Sequence, residues 1–276
     1  MTSARIISYV AILIVLILAG LAVFPFYWMF VTATTSDANM FGAVPQLLPD
    51  FSRLGIFAQI FAESAVREWL VNSLVIAAGT AMLTLILAVP LGYAFSRFSF
   101  RGKALVGFGL LATQMLPEAV LVVPLFSIFS PLHLLNNLGG LVLANTAFTL
   151  PVITWILKNA FDTVPVDIEE AAVLDGCSGI MALVHVVLPV VMPSVAASAV
   201  IAFFHGWNEY VFALTFITDD ALKPASVGLA GFIGEISTPI QSVMAVGVVY
   251  TLPAVVLYLI MQRFIVSGMA AGSVKG

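Results

Sequence analysis

Glu170-Ala171-Ala172-Val173-Leu174-Asp175-Gly176, followed after nine residues by Val186-Val187-Leu188-Pro189, is a polar, helix-forming insert between two long apolar stretches. It interrupts the apolar pattern on both sides. A short charged helix between two segments long enough to cross a bilayer is the pattern of a multi-span membrane protein with a loop outside the hydrocarbon.

Composition points the same way. The 276-residue chain is 62% hydrophobic and only 9% charged, with a mean hydropathy of +1.14, too few charges to cover a water-exposed surface. The net charge of −4 is spread without a basic block, which argues against nucleic acid as a partner. The single cysteine, Cys177, has no second thiol for an internal disulfide or a cysteine-rich metal site.

Six stretches have the apolar length of about 20 residues that a spanning helix needs, near residues 6–30, 70–95, 104–129, 138–157, 188–217 and 243–264. Helices are expected because a lipid-facing segment satisfies its own backbone only in that form, and the runs are too long and uniform for barrel strands. The fold class is therefore an all-α membrane protein with six transmembrane helices. The first run exceeds a signal-peptide core of about 7–15 residues and no cleavage site follows, so it reads as a retained anchor. The chain divides into an N-terminal span at 1–30, an outer loop at 31–69, a five-span core at 70–265 with its polar loop at 159–187, and a tail at 266–276. The outer loop, with Gly42, Pro45, Pro49 and Gly55, reads as irregular with a short interfacial helix.

Orientation follows from the basic residues. With both termini inside, Arg5, Arg97, Arg101, Lys103, Lys158, Arg263 and Lys275 are cytoplasmic, against Arg53, Arg67 and Lys223 outside. That asymmetry obeys the positive-inside rule.

Within the polar loop, Asp162, Asp167, Glu169, Glu170 and Asp175 gather five of the 14 acidic residues. Asp167 and Glu170 have the spacing of an N-cap and its reciprocal acid, and Gly176 is placed to end a helix over 168–174 in a left-handed residue. Ser178 is placed to cap a second short helix. Ile168, Ala171 and Ala172 share one face at helical spacing and form a small apolar patch flanked by carboxylates. Such a patch suits close packing against another protein, and an ordinary capped loop has the same residues.

The loop resembles the EAA loop of ABC-importer permeases: Glu170-Ala171-Ala172, Gly176, an aliphatic residue at Val186 and Leu188-Pro189 occupy the motif's places. Val186 stands where the motif often has isoleucine. Asn72-Ser73, Tyr93-Ala94-Phe95-Ser96-Arg97, Pro151 to Trp155, Gly206-Trp207-Asn208-Glu209 and the ending from Gln262 to Gly276 also resemble the MalG-like permeases of carbohydrate ABC importers. The resemblance implies an ABC type I importer permease in a prokaryotic inner membrane. It would pair with a second homologous permease and receive a sugar or related carbohydrate from an extracytoplasmic binding protein. Two P-loop ATPase subunits would dock on the loop, with Glu169, Glu170, Ala171, Ala172, Asp175, Gly176, Leu188 and Pro189 as coupling residues. Glu170 would meet a basic partner there.

The chain carries no phosphate-binding loop of its own, since Gly102-Lys103 lacks the earlier glycine and the following hydroxyl residue. ATP and Mg are accordingly expected on the partner ATPase, and no cofactor or catalytic role on this chain.

Polar residues inside the spans are the pathway candidates, because a charge at bilayer depth costs about 2.5–3.5 kcal/mol and has to face water, the bundle or a partner. Glu118 lies roughly 20 Å along the third stretch, next to Pro117. It reads either as a sugar-hydroxyl acceptor or gate, or as a structural contact to the second permease. Trp207, Asn208 and Glu209 combine a flat ring with amide and carboxylate groups, the set that binds carbohydrate, while tryptophan is equally an interfacial anchor. Gln114 and Asn145 are further candidates. His133, His185 and His205 lack metal-ligand spacing, so no metal site is expected. An ion-coupled secondary transporter working through Glu118 or Glu209, or a multi-pass membrane enzyme, remain the alternatives; no converging set of catalytic groups supports the enzyme.

Overall fold

The computed structural model describes residues 3–40, 42, 44–63, 65–234 and 239–272, the side chains at 3–7, 37–38, 63, 233–234 and 263–272 excepted. The orientation residues Arg5, Arg263 and Lys275, and the family-like ending beyond Gln262, lie outside the described side chains.

The helices in chain order are α1 (Ser3–Thr34), α2 (Asp37–Met40), α3 (Gly55–Glu63), α4 (Val66–Arg97), α5 (Lys103–Thr113), α6 (Glu118–Phe129), α7 (Leu138–Asp162), α8 (Val166–Leu174), α9 (Gly179–Ala182), α10 (Leu188–Val190), α11 (Met192–Trp207), α12 (Val211–Phe216), α13 (Ala225–Gly234) and α14 (Ile240–Gly272). Four of them are long and apolar enough to cross a membrane, over Ser8–Thr34, Val66–Arg97, Leu138–Asp162 and Ile240–Gln262. Two bent helix pairs pass the same test of length and composition together: α5 and α6 meet at 103°, and Gly179–Val190 and Met192–Phe216 at 82°. The expected six spans are reached with each bent pair counted as one.

The third stretch is thus not the continuous helix expected over 104–129. Pro117, at φ −62° and ψ 134°, is extended and starts α6 afresh, because a proline in helix interior removes a hydrogen bond and crowds the preceding turn.

The chain separates into two compact units, one of residues 1–67 with 229–253 and one of 68–228 with 254–276. In the first, the side chains of α1 from Tyr9 to Phe26 are largely exposed, as an apolar helix facing lipid is. Tyr27 Oη donates to the Leu47 carbonyl at 2.5 Å, and Gly247 admits Met29, whose Cε would lie 2.5 Å from an added Cβ. The segment expected to be irregular holds a 3₁₀ turn at Phe51–Arg53, capped by Asp50, and α3. Hydrogen bonds from the Ser52 hydroxyl and amide hold the Asp50 carboxyl below its ordinary pKa.

In the second unit α4 and α7 lie side by side and parallel. Thr84 and Thr149 share a hydrogen bond at 2.7 Å, and Gly79 faces Val142 while Gly92 faces Leu157, an offset of about 65 residues that the parallel alignment keeps nearly constant. Parallel neighbours need a return crossing between them, and the bent α5–α6 pair supplies it. Gly206 brings α11 onto α4, where a Cβ would lie 2.9 Å from Ala77 Cα, the close backbone approach that small residues permit between membrane helices. One apolar cluster forms around Ile76, Leu141, Phe212 and Phe216, and another around Ala88, Ile153, Leu157, Phe161 and Val187. The loop insert rests on the second.

Candidate functional site

The insert is built from its capping residues upward. Pro165, not Asp167, stands at the N-cap of α8. Its fixed φ starts the helix, and Asp167 falls in the first turn together with Glu169, where their charges favour the positive helix end. At the other end Gly176 is left-handed at φ +95°. The Gly176 amide donates to Val173 O and the Cys177 amide to Ala172 O, both at 3.0 Å, the paired bonds of a Schellman cap. Ser178 Oγ accepts from Met181 N at 3.3 Å and opens α9. A π-helical turn over Leu183–Val187 leads into α10, ahead of Pro189, which has no N–H to continue an α-helical ladder.

Glu169 faces inward. Its carboxylate accepts from Arg97 Nε at 2.5 Å and from Tyr93 Oη at 2.7 Å, while Arg97 also donates to Val164 O at 2.9 Å. Ala172 is buried as well, so Ile168, Ala171 and Ala172 do not form one outward patch; Glu169 and Ala172 lie against the bundle. The outward surface is instead Ile168, Glu170, Ala171, Val173 and Leu174, with Leu174 88% exposed, joined by Ile180 and Met181 of α9. Periodicity alone missed this because Ala171 and Ala172 are adjacent and identical, yet one is exposed and the other buried. A cleft of about 550 Å³ lies between α8, α9 and the end of α4, lined by Phe98, Glu170, Val173, Leu174 and Gly179 among others. Asp175 caps α8 at its C-terminus. Leu188 packs against the core, and Pro189 is exposed.

The second region is a cleft of about 510 Å³ of mixed lining, formed by Glu118, Ile201, Phe204, His205, Asn208, Glu209, Tyr210 and Val211. Glu118, in the first turn of α6, lies 3.0 Å from His205 Nε2, and His205 Nδ1 lies 3.0 Å from Asn145 Oδ1. Asn145 Nδ2 in turn donates to Leu141 O at 2.8 Å. A hydrogen-bonded row thus crosses from α6 through α11 to α7. Glu118 is 39% and His205 28% exposed at the side chain, so both reach the cleft.

Of the other candidates, Asn208 lines the cleft. Glu209 is a helix cap: its carboxylate accepts from Phe212 N at 2.6 Å and Ala213 N at 2.9 Å. Trp207 is 2% exposed and stacks on Phe203 at 5.8 Å, so its ring offers no face to a sugar and is no interfacial anchor. Gln114 sits at the α5–α6 break and donates to Phe148 O on α7 at 3.0 Å, with no hydrogen bond to the row among those described. His205 is the residue that sequence reasoning passed over. Its signal was its place inside an apolar stretch, where an ionisable group is functional by default; testing it only for metal spacing hid that. Among the described residues no three His, Cys, Asp or Glu side chains converge on a metal position.

A profile of the family described as binding-protein-dependent transport system inner membrane component matches residues 84–271, taking in the insert and the cleft. The chain belongs to this family. The permease is 34% identical to the sulfoquinovosyl glycerol transport system permease protein SmoH of Agrobacterium fabrum, over 95% of this chain and 91% of the relative. It is 35% identical to the trehalose/maltose transport system permease protein MalG of Thermococcus litoralis, over 95% and 94%, and 34% identical to the trehalose transport system permease protein SugB of Mycobacterium tuberculosis, over 99% of each. Its fold is similar to that of a bacterial ABC transporter involved in the import of the acidic polysaccharide alginate, with a TM-score of 0.81 at 23% identity, covering 95% of this chain and 98% of that one.

Proposed function

We propose that this permease is the translocating, non-catalytic subunit of an ATP-driven importer that moves a sugar or related small carbohydrate into the cytoplasm by alternating access. The observation that carries the reading is the insert. Two short helices, joined through the Gly176 cap and tied to α4 by Arg97–Glu169, turn Glu170, Val173, Leu174 and Ile180 outward. A rigid, partly apolar surface with a carboxylate at its edge suits a partner that pushes on the bundle. That partner is two P-loop ATPase subunits, which bind ATP and Mg; a second homologous permease completes the pathway, and an extracytoplasmic binding protein delivers the solute. Both termini are cytoplasmic in this reading.

The named transport solutes of similar permeases support a carbohydrate. The cleft narrows the choice: it presents the Glu118 carboxylate, imidazole and amide groups and no Lys or Arg. Neutral hydroxyls can donate to Glu118 and accept from Asn208, whereas a sulfonate or uronate would face a carboxylate. A neutral saccharide is therefore the proposed class.

Pull-down of the tagged permease from its native membrane tests the reading. The expected result is recovery of a P-loop ATPase and a second permease, with hydrolysis lost once every P-loop protein is removed. Hydrolysis by the lone chain, or sugar uptake that follows an ion gradient in the absence of ATP, would overturn it.

A further inference from the structure

Beside the insert's cleft, with which it shares Ser96, a second, wide cleft of about 940 Å³ opens among the end of α4, the 98–102 connection, α5 and the last turns of α7. Its wall is aromatic. Phe95 stacks on Trp155 at 6.1 Å, and Gly107 lets α5 approach Trp155, whose Cζ2 would lie 3.2 Å from an added Cβ. Its mouth is basic, with Lys103 and Lys158 both in the lining. Asp162, the carboxylate there, is already engaged by Lys158 Nζ at 2.5 Å and Ser96 Oγ at 2.6 Å. Lys103 Nζ donates to a backbone carbonyl, Phe98 O, at 3.0 Å, and pairs with no carboxylate among the described residues. Gly102, left-handed at φ +87°, offers α5 no side-chain cap, which leaves first-turn amides and the positive helix end at the same mouth.

From the mouth an apolar gutter follows α5. Leu105, Phe108 and Leu111 are 73%, 69% and 46% exposed and span about 9 Å along the axis. The cationic mouth stands where the apolar helices α4 and α7 end and α5 begins, the place at which a spanning helix meets headgroups, and the gutter runs along α5 away from it.

We propose that this cleft binds one anionic phospholipid, its phosphate at Lys103 and Lys158 and an acyl chain along Leu105, Phe108 and Leu111 beside Trp155. Charge complementarity selects an anionic headgroup over a zwitterionic one, and the gutter has no use in binding a free anion. The site does not depend on which solute is carried.

The test uses the complete transport complex, extracted in detergent, stripped of lipid and titrated with phosphatidylglycerol or phosphatidylcholine under native mass spectrometry. The wild type is expected to bind phosphatidylglycerol more tightly than phosphatidylcholine. Lys103→Gln should weaken phosphatidylglycerol about fivefold, one basic residue near an anionic headgroup contributing about 1 kcal/mol, and Lys103→Arg should restore it. Leu105→Gln should weaken both lipids with the melting temperature unchanged. Equal affinity for the two lipids, no effect of Lys103→Gln, or displacement by millimolar inorganic phosphate would overturn the proposal. So would efficient crosslinking of a cysteine introduced at Leu105 to the second permease, which would show the gutter to be covered by protein.

Discussion

Arg97 Nε lies 2.5 Å from Glu169 Oε1 with both side chains only 10% exposed, so one ion pair joins the last turn of α4 to the first turn of α8. Tyr93 and the Val164 carbonyl complete its hydrogen bonds, as a desolvated pair requires. The insert is thereby tied to a spanning helix by a short connection.

Removing one partner strands the other charge. Arg97→Ala and Glu169→Ala are each expected to destabilise the permease by about 3–5 kcal/mol, the range for breaking a buried pair, and to lower the melting temperature of the purified complex. The double variant should cost less than the sum of the two. Additive losses in this double-mutant cycle would mean that the two side chains do not interact.

Glu170 and Gly176 test the docking surface. Glu170→Lys alters an outward side chain and Gly176→Leu forces a branched residue into a left-handed position, at a local cost of about 1–2 kcal/mol. Both should keep normal membrane levels by immunoblot while uptake and recovery of the ATPase fall. Wild-type uptake in both variants would reduce the insert to a passive loop.

The row from Glu118 through His205 to Asn145 gives a third expectation. Glu118→Gln keeps size and most hydrogen-bonding capacity, so the complex should assemble while transport drops or changes its sugar preference. His205→Ala should lower uptake by a similar factor, and combining the two should add little because they act through one contact. If instead Glu118→Ala chiefly reduces recovery of the second permease, the carboxylate is an assembly contact.

Orientation is open to chemical labelling in intact cells. A membrane-impermeant thiol reagent is expected to miss Cys177 and to reach a cysteine substituted at Lys223, whose side chain pairs with Asp220 in an exposed turn. The reverse labelling pattern would put the insert on the outside, beyond the reach of any cytoplasmic ATPase.

Much of this was legible in the chain. The left-handed Gly176 and the Ser178 cap follow from local rules, because a turn is settled by the residues that make it. Asp167 misled because Pro165, two residues upstream, fixes the backbone more strongly than a side-chain cap does. Trp207 misled in another way: its amphipathic character suits both a sugar and an interface, and only its neighbours show that it is packed on Phe203 inside the unit.

Residue types and their spacing already make this protein a helical membrane protein, locate its polar insert and show no phosphate-binding loop in the chain. Those properties depend on residue type and on spacing over a few turns, which transfer energies and backbone geometry fix locally. Only packing turns Glu169 in to Arg97 while Glu170 faces out, and only packing brings Glu118, His205 and Asn145 together. These residues are separated by tens of positions in the chain. Their contacts depend on which helix faces pack together, and in a chain this uniformly apolar, hydrophobicity does not distinguish one face from another.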